Sequence, residues 1–334
     1  MTTAPSLINI PDLAVDIILK NVDFKAIFSL RKVCKSLRDY IDKRKPEVHM
    51  NHIEFSMTPD LSITAKLKCN PKNEEEIREI TYSEDPLVSF QRDLKIIRSH
   101  WKNQWLDVFK VDLLCMNPDS TEINQKFIDC IRNIFWNSPD DKRLNVTMFV
   151  LQVANEQEIM QLLSFVDPNS LGILSFLRTG RLDLTEIRET DHFKRAPFLS
   201  IVSEWPDIEP IEAFIGRSIV NISSVLLVYR HQMWDVLMSF RDHDHVQEFT
   251  ISFFGFPDLK TFMDDLGNGR KEGDNLTWLI GFENLENCVV KVEISVEGTP
   301  TLSFKRVQPI HYVDVIIEDD DDEESDEEDE DELV

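Results

Sequence analysis

The sequence predicts an α/β chain in three parts: a short N-terminal helical module, a body of repeating strand–helix units, and an acidic tail without structure. Three observations carry this expectation. Two helical patterns occupy the first 46 residues, a triplet of apolar positions recurs through the middle, and the chain closes on a run of carboxylates. The boundaries they set are 1–46, 47–317 and 318–334.

The first helical pattern opens at Ile10-Pro11. Proline lacks an N–H and its fixed φ suits a first helical turn, where that donor would be unpaired anyway, and Asp12 adds a carboxylate near the positive helix end. Leu13, Ile17 and Ile18 follow on one face. After a break over 21–23, where Asp23 is placed to cap, a second helix is expected over 26–44. Its apolar residues, Phe24, Ile27, Phe28, Leu30, Val33, Leu37, Tyr40 and Ile41, step mostly by three and four. Two short helices cannot bury that much apolar surface against each other.

Ile10-Pro11, Ile17-Ile18, Val22, the Leu30-Arg31-x-Val33-Cys34 step and Leu37-Arg38 resemble an F-box over roughly residues 7–46. Leu37 stands where many F-boxes carry Trp. The resemblance implies that Ile10, Pro11, Leu13, Ile17, Ile18, Val22, Phe24, Leu30, Val33, Cys34 and Leu37 form the surface that binds the small Skp adaptor of a cullin-RING ubiquitin ligase.

With 334 residues, 42% of them hydrophobic, the remaining chain is long enough for a sizeable core in two modules or one elongated one. The five cysteines, Cys34, Cys69, Cys115, Cys130 and Cys288, are odd in number, widely spaced and without a CxxC, which argues against a disulfide framework or a zinc knuckle. The first residues lack a basic, apolar leader, and no stretch approaches the ~20 apolar residues of a membrane span. A soluble protein of the cytoplasm or nucleus is expected. The formal charge is −25; fourteen of the fifteen residues 318–332 are acidic, and the rest of the chain carries −11. Such a body disfavours a phosphate backbone as partner.

Beyond the helical module, Ile53, Phe55 and Met57 alternate, as do Leu61, Ile63, Ala65, Leu67 and Cys69, across a Thr58-Pro59-Asp60 turn, which reads as a β-hairpin. The triplet apolar-x-x-apolar-x-apolar then appears with middle members Ile80, Phe109, Phe149, Leu174, Leu199, Val225, Phe249 and Val292, at steps of 29, 40, 25, 25, 26, 24 and 43. Four steps in a row fall within the period of about 20–29 of leucine-rich repeats, whose strands share this spacing. Helical patterns over 87–101, 123–135, 159–166 and 233–240 fill the intervals. A leucine-rich-repeat-like α/β solenoid is the expectation, with Leu174, Leu199, Val225 and Phe249 in one core; an ordinary alternating α/β domain is the other reading of the same triplets.

The stretch Glu158-Ile159-Met160-Gln161-Leu162-Leu163-Ser164-Phe165-Val166-Asp167-Pro168-Asn169-Ser170-Leu171, followed by Asp191-His192-Phe193-Lys194-Arg195-Ala196, is similar to the FTH domain that accompanies F-boxes in a large nematode family. Two identities of that family's Gln-Trp-Lys-x-Ala step are replaced by His192 and Phe193. The resemblance implies a partner-binding domain that presents a target to the ligase.

Signs of catalysis are few. There is no GxxxxGK[ST], HExxH or GxSxG, and no cofactor is expected. Gly267-Asn268-Gly269-Arg270-Lys271-Glu272-Gly273 follows a helix rather than a strand and reads as a flexible insertion. Asp242-His243-Asp244-His245 lacks a further His or Cys nearby to complete a metal site. Arg178, Arg181, Arg188, Lys194 and Arg195 form the notable basic cluster, either a solvated face or a dock for an acidic target. The tail holds too little apolar surface to offset chain entropy, and Ser325, followed by Asp326-Glu327-Glu328, is a candidate phosphorylation site. Two functions stay open: a non-catalytic receptor subunit of an SCF-type ubiquitin ligase, holding Skp through the F-box and an unidentified target through the body, or a scaffold that binds basic proteins through its tail.

Overall fold

Hydrophobic periodicity becomes three helices and a sheet in the first part of the computed structural model, which describes residues 11–22, 24–46, 50–68, 77–101, 105–113, 121–135, 143–153, 155–178, 184–203, 211–282, 285–295, 298–308 and 315–317. The chain divides into two units, 1–213 with 220–226, and 214–219 with 227–334. The acidic run, Ser325, Cys69 and Cys115 lie outside the described residues. Among the described residues no helix is long and apolar enough to cross a membrane.

The first unit begins with α1 (Asp12–Asn21), α2 (Phe24–Val33) and α3 (Lys35–Arg44). The single helix expected over 26–44 is therefore two, broken at Cys34, whose backbone is extended at φ −157° and ψ 163°. Spacings of three and four run on through the break because both helices keep an apolar stripe. The break lets α3 fold back, so that Arg31 grips Asp42 with two bonds of 2.7 and 2.9 Å.

Strands β1 (His52–Met57) and β2 (Ile63–Lys68) form the expected antiparallel hairpin, with Met57 opposite Ile63. Asp60 organises its turn by accepting from Thr58 and Ser62. Then come β3 (Arg78–Tyr82), α4 (Pro86–His100), β4 (Trp105–Leu113), α5 (Thr121–Phe135), β5 (Asn145–Gln152), α6 (Glu156–Leu163), β6 (Ile173–Arg178), α7 (Asp191–Arg195), β7 (Phe198–Ser203) and β8 (Ile219–Leu227). Pro86 opens α4, the Asn155 side chain caps α6 and that of Thr190 caps α7.

Within this unit the strand order is β3-β2-β1-β4-β5-β6-β7-β8. From β1 through β4 to β7 each neighbour pairs in parallel. Middle members Phe109, Phe149, Leu174 and Leu199 of the sequence triplets fall opposite one another, and Ile53 of the hairpin extends their row. Phe55, Val111, Leu151, Phe176 and Ile201 make the next on the same face, and all ten residues are buried. Phe90 of α4 meets Phe55 edge-on at 5.1 Å and stacks on Phe127 of α5 at 5.2 Å, while Phe135 reaches Phe109. Strands laid down in one direction through right-handed crossovers carry their helices on one face. Gln125 and Gln161 join α5 to α6 by reciprocal amide bonds of 2.8 and 3.0 Å, and Asn124 donates to the buried Glu158.

The His192-Phe193 departure has a structural reading. Both side chains are interior; His192 Nε2 donates to Val166 O at 2.8 Å, tying α7 to the segment after α6. Burial lowers the His192 pKa, opposed by the Val166 carbonyl and reinforced by Arg143, with Asp191 and Asp167 acting weakly the other way. A depressed histidine contributes stability in full above its ordinary value of 6.5 and loses it as pH falls from there through the folded value. His192→Gln keeps a donor for Val166 O and removes the titration. Its melting temperature should match the parent at neutral pH and fall less steeply on acidification. His52 and His100, also lowered by burial, leave a remaining slope. An unchanged slope refutes the assignment.

The second unit is built differently. It contains α8 (Arg230–Asp242), β9 (Glu248–Gly255), α9 (Leu259–Asp265), β10 (Arg270–Glu272), β11 (Asn275–Phe282), β12 (Leu285–Ser295), β13 (Thr301–Val307) and β14 (Val315–Ile317). Strands run β10-β11-β12-β13-β9, all neighbours antiparallel, and β14 lies parallel on β11. The triplet at Val292 thus belongs to a strand with antiparallel neighbours on both sides, and the one at Ile80 to β3, which pairs antiparallel with β2; β9, which carries Phe249, pairs antiparallel with β13. Phe249, Phe304, Val292 and Trp278 form this unit's buried row. Arg306 closes the end of α8 by donating to Phe240 O, His243 O and Val246 O, where helical carbonyls lack partners.

The glycine-rich stretch is a hairpin, not an insertion: β10 pairs with β11 across Gly273, whose φ is 63°. A Cβ on Gly269 would stand 2.6 Å from the Trp278 ring, whose Nε1 donates to Gly267 O at 3.1 Å, so this tryptophan is seated on backbone that only glycine leaves open.

Candidate functional site

α1 has two apolar faces, and that fact defines the site. Val15 and Leu19, one helical turn apart, join Ile27, Leu37 and Ile41 in the interior. Leu13 and Ile17, also one turn apart, point away from it and are 72% and 56% exposed. Val33, at the end of α2, is 68% exposed. Isolated exposed aliphatics are ordinary on a surface, and three on one small helical module make it the candidate site.

The helices are held firmly enough to present them. Pro11 takes the cap position of α1, its carbonyl accepting from Ala14 N at 2.9 Å, and Val22 closes the helix onto Ile18 O. Tyr40 of α3 donates to Asp16 at 2.9 Å and also reaches Asp12 O, while Arg44 lies 3.7 Å from both carboxylates. The Arg31 guanidinium keeps the Asp42 carboxyl below the usual carboxylate range. At the far end of α3, His100 of α4 hydrogen-bonds Pro46 O at 3.3 Å, connecting the helical module to the sheet.

Of the residues expected on the adaptor surface, Pro11, Leu13, Ile17 and Val33 are exposed, and Ile18, Val22, Leu30 and Cys34 are half-buried. Leu37 is interior, where it supports α3 instead of facing outward. Ile10 and the Phe24 side chain lie outside the described residues. Sequence reasoning missed the inner role of Val15 and Leu19; their spacing of four was the available signal.

Other sequence candidates are occupied. Lys194 pairs with Glu189 at 2.8 Å, Arg188 approaches the same carboxylate, and Arg195 lies 3.7 Å from Asp191, so these three members of the basic cluster share two carboxylates. Arg181 and the Arg178 side chain lie outside the described residues. His245 bonds Gly216 O at 2.7 Å. Among the described residues no group of three or more His, Cys, Asp or Glu could hold a metal ion.

Two family models match segments of the chain. Residues 7–49 match the family model of the F-box domain, and residues 125–251 match that of the FTH domain. No curated protein and no solved structure matches the chain. The chain thus carries an F-box domain and, beyond it, an FTH domain.

Proposed function

We propose that the chain is the target-recognition subunit of an SCF-type ubiquitin ligase. The observation that carries this reading is the outward-facing apolar set Leu13, Ile17 and Val33 on a module that matches the F-box domain. An adaptor surface of this kind buries aliphatic side chains, each worth about 1.5–3 kcal/mol. Pro11, Ile18, Val22, Leu30 and Cys34 border it, and Leu37 supports it from within. The body then holds the target, with β4–β7 as successive units of a short leucine-rich-repeat-like run, and ubiquitin transfer belongs to other subunits. Affinity purification of the tagged full chain from cells should recover both a Skp-type adaptor and a cullin. Recovery of adaptor without cullin would leave a scaffold, and recovery of neither would end the reading.

The acidic run supplies a second test. Deleting residues 318–334 removes fourteen carboxylates that act over a screening length of about 8 Å at physiological salt. Adaptor capture and melting temperature should stay unchanged, while retention of histones or other basic proteins falls and loses part of its salt dependence. Loss of the adaptor on truncation would make the tail part of the fold.

A further inference from the structure

Building on the reading as a target receptor, we infer that the junction of α2 and α3 meets an acidic segment of the Skp-type adaptor, with Lys32, Lys35 and Arg38 forming a charged rim beside the apolar contact at Val33. Residues 31–45 hold seven lysines and arginines and two aspartates, a net charge of +5, whereas the chain outside 318–332 carries −11 in total. The helical module is therefore basic on a body that is acidic. The contrast falls on the same helices that display the outward apolar set, and Val33, 68% exposed, stands between Lys32 and Lys35 in the chain.

Local pairing accounts for only part of this charge. Arg31 is held by Asp42 at 2.7 Å, and Arg44 pairs with Asp12 and Asp16 of α1. Arg38 Nε donates to Arg31 O at 3.1 Å, which fixes its guanidinium against the end of α2. Asp42 also feels the charge of Arg38, but both of its oxygens are taken by Arg31. Lys32, Lys35 and Arg38 are exposed and form no ion pair among the described residues, nor does the exposed Asp39 four residues after Lys35. An apolar contact with a rim of one sign selects its occupant by charge as well as by shape. A basic segment would be repelled, and a phosphate backbone, which also suits cations, offers nothing to Val33. Rim pairs stay in water, so they add little to the lifetime of a complex and act on the rate of encounter.

The test follows association of a purified Skp-type adaptor with the immobilised full chain by biolayer interferometry. For the parent, the association rate should fall steeply as salt rises from about 0.01 M to about 1 M, over which the screening length shortens from about 30 Å to about 3 Å. Lys32→Glu combined with Lys35→Glu should slow association by about tenfold at low salt and flatten that dependence, with dissociation and melting temperature little changed. Lys260→Glu combined with Lys271→Glu makes the same change in net charge at exposed positions of the second unit and should match the parent. A parent rate that ignores salt, or equal slowing in the two double variants, overturns the charged rim while leaving the receptor reading intact. Faster association of the chain lacking 318–334, with the Lys32 and Lys35 variant indifferent to that deletion, would assign the patch to the acidic run and overturn the rim as well. Failure of the parent to bind the adaptor at any salt overturns the receptor reading instead.

Discussion

Replacing Phe109 by alanine should cost about 3–5 kcal/mol, enough to consume much of the roughly 5–15 kcal/mol that holds a typical domain folded. Phe109 is fully buried at the crossing of two sets of contacts. Along the row it stacks on Phe149 at 5.3 Å; within the core it meets Phe55 at 5.9 Å and Phe135 at 6.1 Å, edge-on in each case. Removing the ring leaves a cavity bounded by two strands and a helix that cannot close without moving the parallel ladder. Urea denaturation should show the loss as a lower midpoint with an unchanged slope. Val88→Ala, on the exposed side of α4 in the same unit, should change stability by no more than about 0.5 kcal/mol. Equal effects from the two substitutions would mean that the aromatic row does not organise this unit.

That row was legible because βα units of nearly constant length return the chain to the same level of the sheet. Phe149, Leu174 and Leu199 are 25 residues apart in sequence and fall opposite one another in space. What the triplets could not convey is direction. Ile80 and Val292 carry the same spacing, yet their strands pair antiparallel, because alternation along a strand is identical whichever way its neighbour runs. The break at Cys34 was hidden for a related reason: a helix that breaks and folds back can keep steps of three and four on both sides, and the extended Cys34 backbone and the Arg31–Asp42 pairing reveal the fold. The glycines at 267–273 were likewise ambiguous until Trp278, several residues on, was seen to need the space over Gly269.

The outward apolar set proposed to meet the adaptor was partly legible. The excess of apolar residues in 11–41 announced a partner, but periodicity alone could not divide that excess between an inner face and an outer one. The structure makes the division with Val15, Leu19 and Leu37 inside and Leu13, Ile17 and Val33 outside. Leu37 takes a position where the resemblance places Trp in many F-boxes, and its smaller side chain is buried there, while the exposed aliphatics stand on α1 and at the end of α2.

Ile17→Asp combined with Val33→Asp should therefore abolish adaptor capture without unfolding the chain. Both side chains already face solvent, so the carboxylates cost little in the free protein. In the complex each would forfeit about 1.5–3 kcal/mol of aliphatic burial and add an unpaired charge to an apolar contact. The burial loss alone weakens binding by about two to four orders of magnitude. Val15→Asp makes the discriminating comparison, because Val15 is interior: it too should lose the adaptor, but with a lowered melting temperature or lost helical circular dichroism. If the outer double variant melts like the parent and retains the adaptor in a pull-down, then the exposed faces of α1 and α2 are not the contact surface. If it loses the adaptor only as it unfolds, Leu13, Ile17 and Val33 are structural, and the surface must be sought elsewhere in residues 7–49.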